Sequence, residues 1–201
     1  NIGVTTVRMK GHKVAGVDYR IVPLADYEPD ILYQKQVEAY YADPGLNKPV
    51  GRFGNAADKW GLANWMAAAV ADEADADVGF YPSGGVRLDS IPAGGVSAAK
   101  VYGLEPFGTL VARMEMTPAQ MRRMIVSKYN DPVNAKEAHR IDLISTTPYV
   151  IVTDAADNAL DVQFPKLREG RKYKVAVSDY IYRNSVSYTH LRAHETEADL
   201  V

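Results

Sequence analysis

A short apolar run, residues 78–81, ends at Pro82 and is followed at once by Ser83-Gly84-Gly85. The run has the length of a buried strand, and the proline and the two glycines predict that a tight turn follows it. Such a turn leaves backbone amides facing outward, and Arg87 follows two residues later. A guanidinium beside free amides suits a phosphate or a carboxylate. The same residues are also compatible with a plain strand-to-turn junction in which Arg87 pairs with Asp89.

Composition and charge narrow the function classes. The chain has 201 residues, 47% of them hydrophobic, and a formal net charge of -2, which suffices for one sizeable core or one domain plus an appendage. No basic stripe is present, so nucleic acid is not an expected partner. No apolar run approaches the ~20 residues that span a bilayer, so we expect no transmembrane segment. The lack of cysteine excludes disulfides and thiolate chemistry.

The first 48 residues predict a hairpin and a helix. Residues 1–26 contain two alternating stretches around a turn at Gly11, His12 and Lys13. Two strands alone are marginally stable, so we expect the hairpin to form the edge of a sheet, in this domain or in one that precedes Asn1. Residues 27–48 predict a hinge or linker helix that opens at Pro29 and runs to about Ala42. Its apolar residues are Ile31, Leu32, Val37, Tyr40 and Tyr41.

Residues 49–184 mix strands and helices without regular alternation, which predicts an α+β domain with a mixed β-sheet and packed helices. A helix from about Lys59 to Glu73 is predicted to be part of the core. Its predicted apolar face consists of Leu62, Trp65, Met66, Ala69 and Val70. A second helix begins at Thr117 with Pro118 next and Gln120 at the capping-box position, and it should carry Met121, Met124 and Ile125 inward.

Few residues have the spacing of a catalytic or metal site. The histidines, His12, His139, His190 and His194, are scattered, and the last two lack the pattern of a zinc helix. Ser83 lacks the first glycine of a nucleophile elbow. Phe107 and Tyr180 are predicted at strand ends beside loops, where an aromatic ring can stack on a flat ligand, although core packing is the alternative.

Five separated stretches are informative together. They are Gly61 to Val70, Asp77 to Arg87, Ile91 to Ser97, Pro106-Phe107-Gly108, and Met116-Thr117-Pro118. In their order and spacing they resemble the C-terminal domain of the 5'-nucleotidase/UDP-sugar hydrolase family. The resemblance covers about residues 50–184, and the hairpin and the first helix resemble the end of that family's N-terminal metallophosphatase domain and its linker helix.

The resemblance implies a two-domain enzyme that is periplasmic, secreted or on the cell surface and that hydrolyses nucleotide phosphate esters. Two divalent metal ions and the catalytic His-Asp pair would lie in the N-terminal metallophosphatase domain, missing from this chain. The fragment would then hold no cofactor and be inactive alone, with a nucleotide substrate and that missing domain as partners. The alternatives are a stand-alone nucleotide-binding module, or a relative that acts on cyclic nucleotides, nucleotide sugars or sulfur compounds.

The resemblance also implies site residues. Arg87, after Gly84 and Gly85, matches an arginine that contacts substrate phosphates. Phe107 and Tyr180 match two rings that sandwich the base. Arg52 matches, more loosely, an upstream substrate arginine. Two departures are Pro82-Ser83, where relatives carry Asn-Gly or Ser-Gly, and Thr109, where an asparagine is expected. We expect the polar contacts to base or ribose to differ at these positions.

Residues 185–201 form a separate case. The family follows its second aromatic with Gly-Gly-Asp-Gly-Tyr, whose aspartate helps to hold the ribose, and this chain lacks that sequence. The tail instead resembles translated read-through of sequencing-adapter DNA. We expect it to contribute nothing to the fold, the alternative being a divergent C-terminal helix.

Overall fold

The computed structural model describes residues 1–131 and 143–184, together with the backbone of 199–200. It divides into two compact units, Asn1–Asn47 and Lys48–Val201. None of its described helices is long and apolar enough to cross a bilayer. The prediction that residues 185–201 contribute nothing to the fold concerns residues that lie mostly outside the described part of the chain. Of this segment the structure describes only residues 199–200, which form a two-residue strand.

The first unit contains the predicted hairpin and helix. Strand β1 (Ile2–Lys10) pairs antiparallel with β2 (Lys13–Val22) across a turn in which Gly11 has a φ of +60°. Helix α1 (Ile31–Tyr41) is followed by the short α2 (Pro44–Asn47). The helix begins later than the predicted Pro29, because the side chain of Asp30 accepts hydrogen bonds from the Leu32 and Tyr33 amides and forms its N-cap.

Burial in this unit differs from an ordinary core. None of residues 1–47, all of which the structure describes, is buried. The five apolar residues predicted on α1 all have exposed side chains. Val37 is the least exposed of them and Tyr40 the most exposed. The apolar content of α1 therefore contributes nothing to a core within the described chain.

The second unit is built on a five-stranded mixed sheet. Its strands are β5 (Val78–Pro82), β8 (Val111–Met116), β9 (Leu143–Ser145), β12 (Tyr173–Ser178) and β13 (Asp199–Leu200). Their order across the sheet is β13-β8-β12-β5-β9. The central strand β12 runs parallel to β5 and antiparallel to β8. The mixed sheet with packed helices is the predicted fold class.

Three two-strand pairs and four helices complete the part of this unit that the structure describes. The pairs are β3 (Pro49–Phe53) with β7 (Gly94–Ser97), β4 (Ala57–Asp58) with β6 (Ser90–Ile91), and β10 (Val150–Thr153) with β11 (Ala159–Gln163). The helices are α3 (Lys59–Glu73), α4 (Ala98–Leu104), α5 (Pro118–Tyr129) and α6 (Asp179–Asn184).

Helices cover both faces of the sheet because successive side chains of a strand point to opposite sides. Val78 and Phe80 of β5 belong to one buried cluster, which includes Met121, Met124 and Ile125 of α5. Tyr81 of β5 belongs to the second cluster, with α3. The α5 prediction is confirmed in detail, since the Thr117 and Gln120 side chains form the reciprocal capping box.

Helix α3 has the predicted bounds, but its buried face differs from the predicted one. Leu62 and Val70 are buried as expected, whereas Trp65 is 43% exposed and packs edge-on against Phe53. The other buried residues of the helix are the alanines 63, 67 and 71. The reason is Gly79 of β5, whose missing side chain lets the backbone of α3 come so close that only small residues fit between.

Candidate functional site

A cavity of about 440 Å³ opens at the ends of β5 and β12, where their chains pass into the 83–85 turn and into α6. Because β5 and β12 are parallel neighbours, their carboxyl ends meet at the same edge of the sheet. Such an edge is where α/β sheets commonly bind ligands. The cavity is lined by Tyr81, Pro82, Gly84, Gly85, Phe107, Gly108, Thr109, Ser178, Asp179, Tyr180 and Arg183.

The glycine turn forms one wall of the cavity. Ser83–Gly85 is a single 3-10 turn, closed by a hydrogen bond from the Val86 amide to the Ser83 carbonyl at 3.2 Å. A Cβ on Gly85 would lie 2.9 Å from Cε1 of Tyr81. Gly85 is therefore required for the close approach of the tyrosine ring rather than for a left-handed backbone.

Arg87 and Phe107 are held beside each other by the backbone. The Arg87 amide donates to the carbonyl of Leu104 at 2.9 Å, and this bond joins the segment after the glycine turn to the end of α4. The Arg87 guanidinium lies 5.9 Å from the centre of the Phe107 ring. Within residues 1–131, all of them described, no ion pair joins Arg87 to Asp89, so the structural alternative for this arginine is not observed. An exposed guanidinium next to a ring can receive an anion.

Phe107 stands at the tip of the loop between α4 and β8. The ring is 60% exposed, so it is not a core residue. Gly108 follows it with a φ of +60°, a conformation that favours glycine. The Glu105 carboxylate closes this loop by accepting the Thr109 hydroxyl at 2.7 Å. Phe107 is thus presented to the cavity by the backbone of a short closed loop.

Tyr180 lies in the first turn of α6, not at the end of a strand as the sequence predicted. The helix starts where the Ser178 hydroxyl accepts the Ile181 amide at 3.3 Å. The Tyr180 ring is 46% exposed, and the ammonium of the buried Lys128 lies 5.4 Å from its centre. Tyr180 therefore joins Phe107 as a second accessible ring on the same cavity.

Tyr81 supplies a buried phenol at the cavity wall. Burial first, and then the negative charge of Glu105, raise the pKa of the Tyr81 phenol well above its ordinary range, although a hydrogen bond with Thr109 opposes this. The phenol therefore stays protonated at any ordinary pH.

The structure brings together most of the predicted site residues. Gly84, Gly85, Phe107 and Tyr180 line the cavity, and Arg87 contacts the Phe107 ring. Arg52 is not among the lining residues; it is exposed on β3, opposite Gly95.

Sequence reasoning missed Ser178, Asp179 and Arg183, which come with α6. Arg183 pairs with Asp179 one turn earlier, at 3.6 Å. A serine followed by an aspartate is a helix-start pattern, and it was the available signal.

A metal site would need several ligating side chains close to one another. No group of three or more histidine, cysteine, aspartate or glutamate side chains is placed to hold one in the part of the chain that the structure describes. The cavity itself offers two rings, a glycine turn and two arginines nearby, which can bind an anionic ligand that has a flat ring.

Comparisons with known proteins identify the fold and the family of the chain. The model of the 5'-nucleotidase C-terminal domain matches residues 46–193. The 5'-nucleotidase precursor of Thermus thermophilus superposes with a TM-score of 0.63 at 17% identity, over 99% of this chain and 43% of that one. The NAD nucleotidase of Haemophilus influenzae gives a TM-score of 0.54 at 17% identity, over 76% of this chain and 32% of that one.

A third similar structure is the sulfate thiohydrolase of Thermus thermophilus in complex with glycerol, with a TM-score of 0.59 and 15% identity over 98% of this chain and 39% of that one. The chain thus spans less than half the length of these structures. Comparison with the curated proteins gives no match. At these identities the solved structures show the fold, and the family model covers most of the chain. The chain therefore belongs to the 5'-nucleotidase family and contains its C-terminal domain.

Proposed function

We propose that this chain is the substrate-binding part of a 5'-nucleotidase-like metallophosphoesterase, an enzyme that hydrolyses phosphate esters of nucleotides. The cavity takes the nucleoside, with the base against the rings of Phe107 and Tyr180. The phosphate lies towards Arg87 and the turn at Gly84 and Gly85.

One observation carries the proposal: two exposed rings and a glycine turn line a single cavity, with an arginine free of ion pairs in the described chain beside one ring. Stacking of a base on a ring contributes about 1–3 kcal/mol and tolerates any base. A hydrogen bond from a charged donor contributes about 1.5–3 kcal/mol. The two kinds of group therefore favour a ligand with a flat ring at one end and an anion at the other.

Hydrolysis needs groups beyond this site. The described residues do not provide a ligand set for a metal ion, so the two divalent ions that the resemblance implies would be held by other parts of the protein. An N-terminal metallophosphatase domain in the same protein is the partner we propose for this role. The described cavity then binds and orients the nucleotide, and without that domain we expect no hydrolysis.

A second candidate is favoured by the sulfate thiohydrolase, which shares the fold. The name of that protein shows that this fold occurs in an enzyme that acts on a sulfur compound. The fold alone therefore does not decide between a nucleotide and a sulfur compound as the ligand. We favour the nucleotide because Phe107 and Tyr180 offer stacking surfaces that a small sulfur compound would not need.

A periplasmic or surface location, implied by the resemblance, stays a prediction that cell fractionation would test.

The test is calorimetric titration of AMP and adenosine into the chain and two variants. Arg87→Ala should weaken AMP about tenfold and leave adenosine unchanged, because only AMP carries the phosphate. Phe107→Ala should weaken both by a similar factor, about tenfold, because stacking does not depend on the phosphate.

Matched controls are present in the chain. Arg171 is exposed and lies over the ring of Tyr173 at 4.8 Å, and Tyr173, unlike Phe107, does not line the cavity. Tyr102 is exposed to a similar degree as Phe107 and lies outside the lining set. Arg171→Ala and Tyr102→Ala should leave both affinities unchanged. Equal losses of AMP and adenosine in Arg87→Ala would show that the arginine only supports its loop.

A further inference from the structure

We infer that Glu105 is a positioning residue whose carboxylate closes the loop 105–109 and so holds the Phe107 ring at the cavity. The inference rests on the proposed function, because it concerns the ring on which the base is proposed to stack. The hydrogen bonds of this loop and the burial of its neighbours support it.

Glu105 is itself firmly placed. It is the C-cap of α4, and its amide donates to the Val101 carbonyl at 2.9 Å. The preceding residue, Leu104, is buried and its carbonyl accepts the Arg87 amide. The carboxylate therefore starts from a fixed point between the two loops that carry Arg87 and Phe107.

The carboxylate accepts three hydrogen bonds from the loop that follows it. One oxygen accepts the Thr109 hydroxyl at 2.7 Å and the Phe107 amide at 3.3 Å. The other oxygen accepts the Thr109 amide at 3.5 Å, the longest of the three. These contacts bring both ends of the Phe107-Gly108-Thr109 segment to one side chain, so the loop is closed on Glu105.

Phe107 depends on that closure because the core does not hold it. Pro106, Phe107 and Gly108 are all exposed, so neither residue adjacent to Phe107 in the chain is buried in the core. Gly108 has the freedom to take many backbone conformations once its neighbours are released. A ring on such a loop stacks well only if the backbone is already ordered before the ligand arrives, since ordering it on binding would cost affinity.

The same carboxylate also reaches the cavity wall. Tyr81 is 2% exposed, and its phenol interacts with Glu105 and with Thr109. Tyr81 and Thr109 both line the cavity. Glu105 thus connects the buried wall of the cavity with the exposed loop that carries the ring.

A carboxylate suits this position because it only accepts hydrogen bonds. The loop presents two amides and a hydroxyl, all of which donate to it. A glutamine has the same size, but its NH2 group donates, so one of the two oxygens that accept from the loop would be lost. Glu105→Gln therefore changes the hydrogen bonding while it keeps the volume.

The experiment is a double-mutant cycle read by the affinity for adenosine. Four proteins are compared by calorimetry: the parent chain, Glu105→Gln, Phe107→Ala and the double variant. Glu105→Gln should weaken adenosine about fivefold in the parent and leave it unchanged in Phe107→Ala. Glu115→Gln is the control, since Glu115 is exposed and pairs with Lys172 at 3.3 Å outside the cavity. A purely structural role would lower the melting temperature without this coupling.

The outcomes separate the two claims. If Phe107→Ala weakens adenosine but Glu105→Gln does not, the positioning role is overturned and the proposed function stands. An equal loss from Glu105→Gln in both backgrounds also overturns it, because the effect would not pass through the ring. If Phe107→Ala leaves adenosine unchanged, the stacking site itself is wrong. Should Glu105→Gln fail to fold, Thr109→Val removes the 2.7 Å bond with little change of volume and enters the same cycle.

Discussion

Replacing Gly79 by alanine should destabilise the second unit. The loss should be larger than for the same substitution at any other glycine of this unit that lacks a positive φ. Gly79 lies in β5, where α3 crosses the sheet. A Cβ at this position would lie 2.9 Å from Cβ of Ala71 and 3.1 Å from its backbone nitrogen, and closer still to the carbonyl oxygen of Ala67. Ordinary contact begins at 3.4 Å, so the helix and the strand would have to separate.

The magnitude follows from what cannot move. Two of the three nearest atoms belong to the helix backbone, and no rotamer change can remove them. Overpacking of a core costs about 1–3 kcal/mol and occasionally more, and we place this site at about 3 kcal/mol or above. A chain of this size loses about 2–4 °C of melting temperature per kcal/mol, so the expected fall is about 6–12 °C.

Gly103→Ala is the matched control, measured in the same thermal melts by circular dichroism. Gly103 lies in α4, and an added Cβ would touch only the methyl groups of Leu88, at 3.8 and 3.9 Å. Alanine is a better helix former than glycine by up to about 1 kcal/mol, so this variant should melt at or slightly above the parent temperature. Equal melting temperatures for the two variants would refute the claim that close approach at Gly79 sets the packing.

Two further predictions concern stability. Thr117→Ala removes the capping-box hydroxyl at the start of α5 and should cost about 1 kcal/mol, a fall of about 2–4 °C, whereas Thr153→Ala at an exposed strand end should change little; equal effects would contradict the capping role. The hydrogen bond and charge of Arg122 lower the pKa of Glu169, so stability from this pair is present above the ordinary glutamate pKa and is lost as the pH falls through the lowered one. Between neutral pH and about pH 3, the melting temperature of Arg122→Ala should therefore fall less than that of the parent, and an equal fall would show that the pair contributes nothing.

The elements predicted best are those that local rules decide. The start of α5 depends on Thr117, Pro118 and Gln120, which lie within four residues, and the structure shows the capping box that they predict. The hairpin of β1 and β2 likewise follows from alternation around one turn. Such features need no knowledge of the rest of the chain.

The buried face of α3 could not be predicted in the same way. Trp65 was expected in the core because large apolar residues at helical spacing usually lie there. The actual face is set by Gly79, which comes after the helix and admits only the small residues such as Ala67. The buried face of α3 can be predicted only when it is known that the helix packs against Gly79.

The candidate site likewise contains residues that sequence motifs predict and residues that only the folded structure brings in. Phe107 and Arg87 are recognisable from motifs. Phe107 lines the cavity, and Arg87 lies beside its ring without being one of the lining residues. The contribution of Tyr81 and the closure of the loop by Glu105 depend on side-chain contacts between separate elements, which sequence patterns do not record. Asp179 and Arg183 were missed because the residues of α6 resemble the end of a strand.

The position of β12 in the sheet has a consequence for how the chain is made. This strand lies between β8 and β5, and the amide of Lys174 donates to the carboxylate of Asp77 across a separation of 97 residues. During synthesis from the N-terminus, β5 and β8 leave the ribosome well before the strand that joins them. The strand edges that pair with β12, at Val78 in β5 and Ala112 in β8, therefore remain unpaired until then. Unpaired strand edges expose a chain to aggregation. Chaperone demand in the cell should be greatest in the interval before residue 178 has emerged.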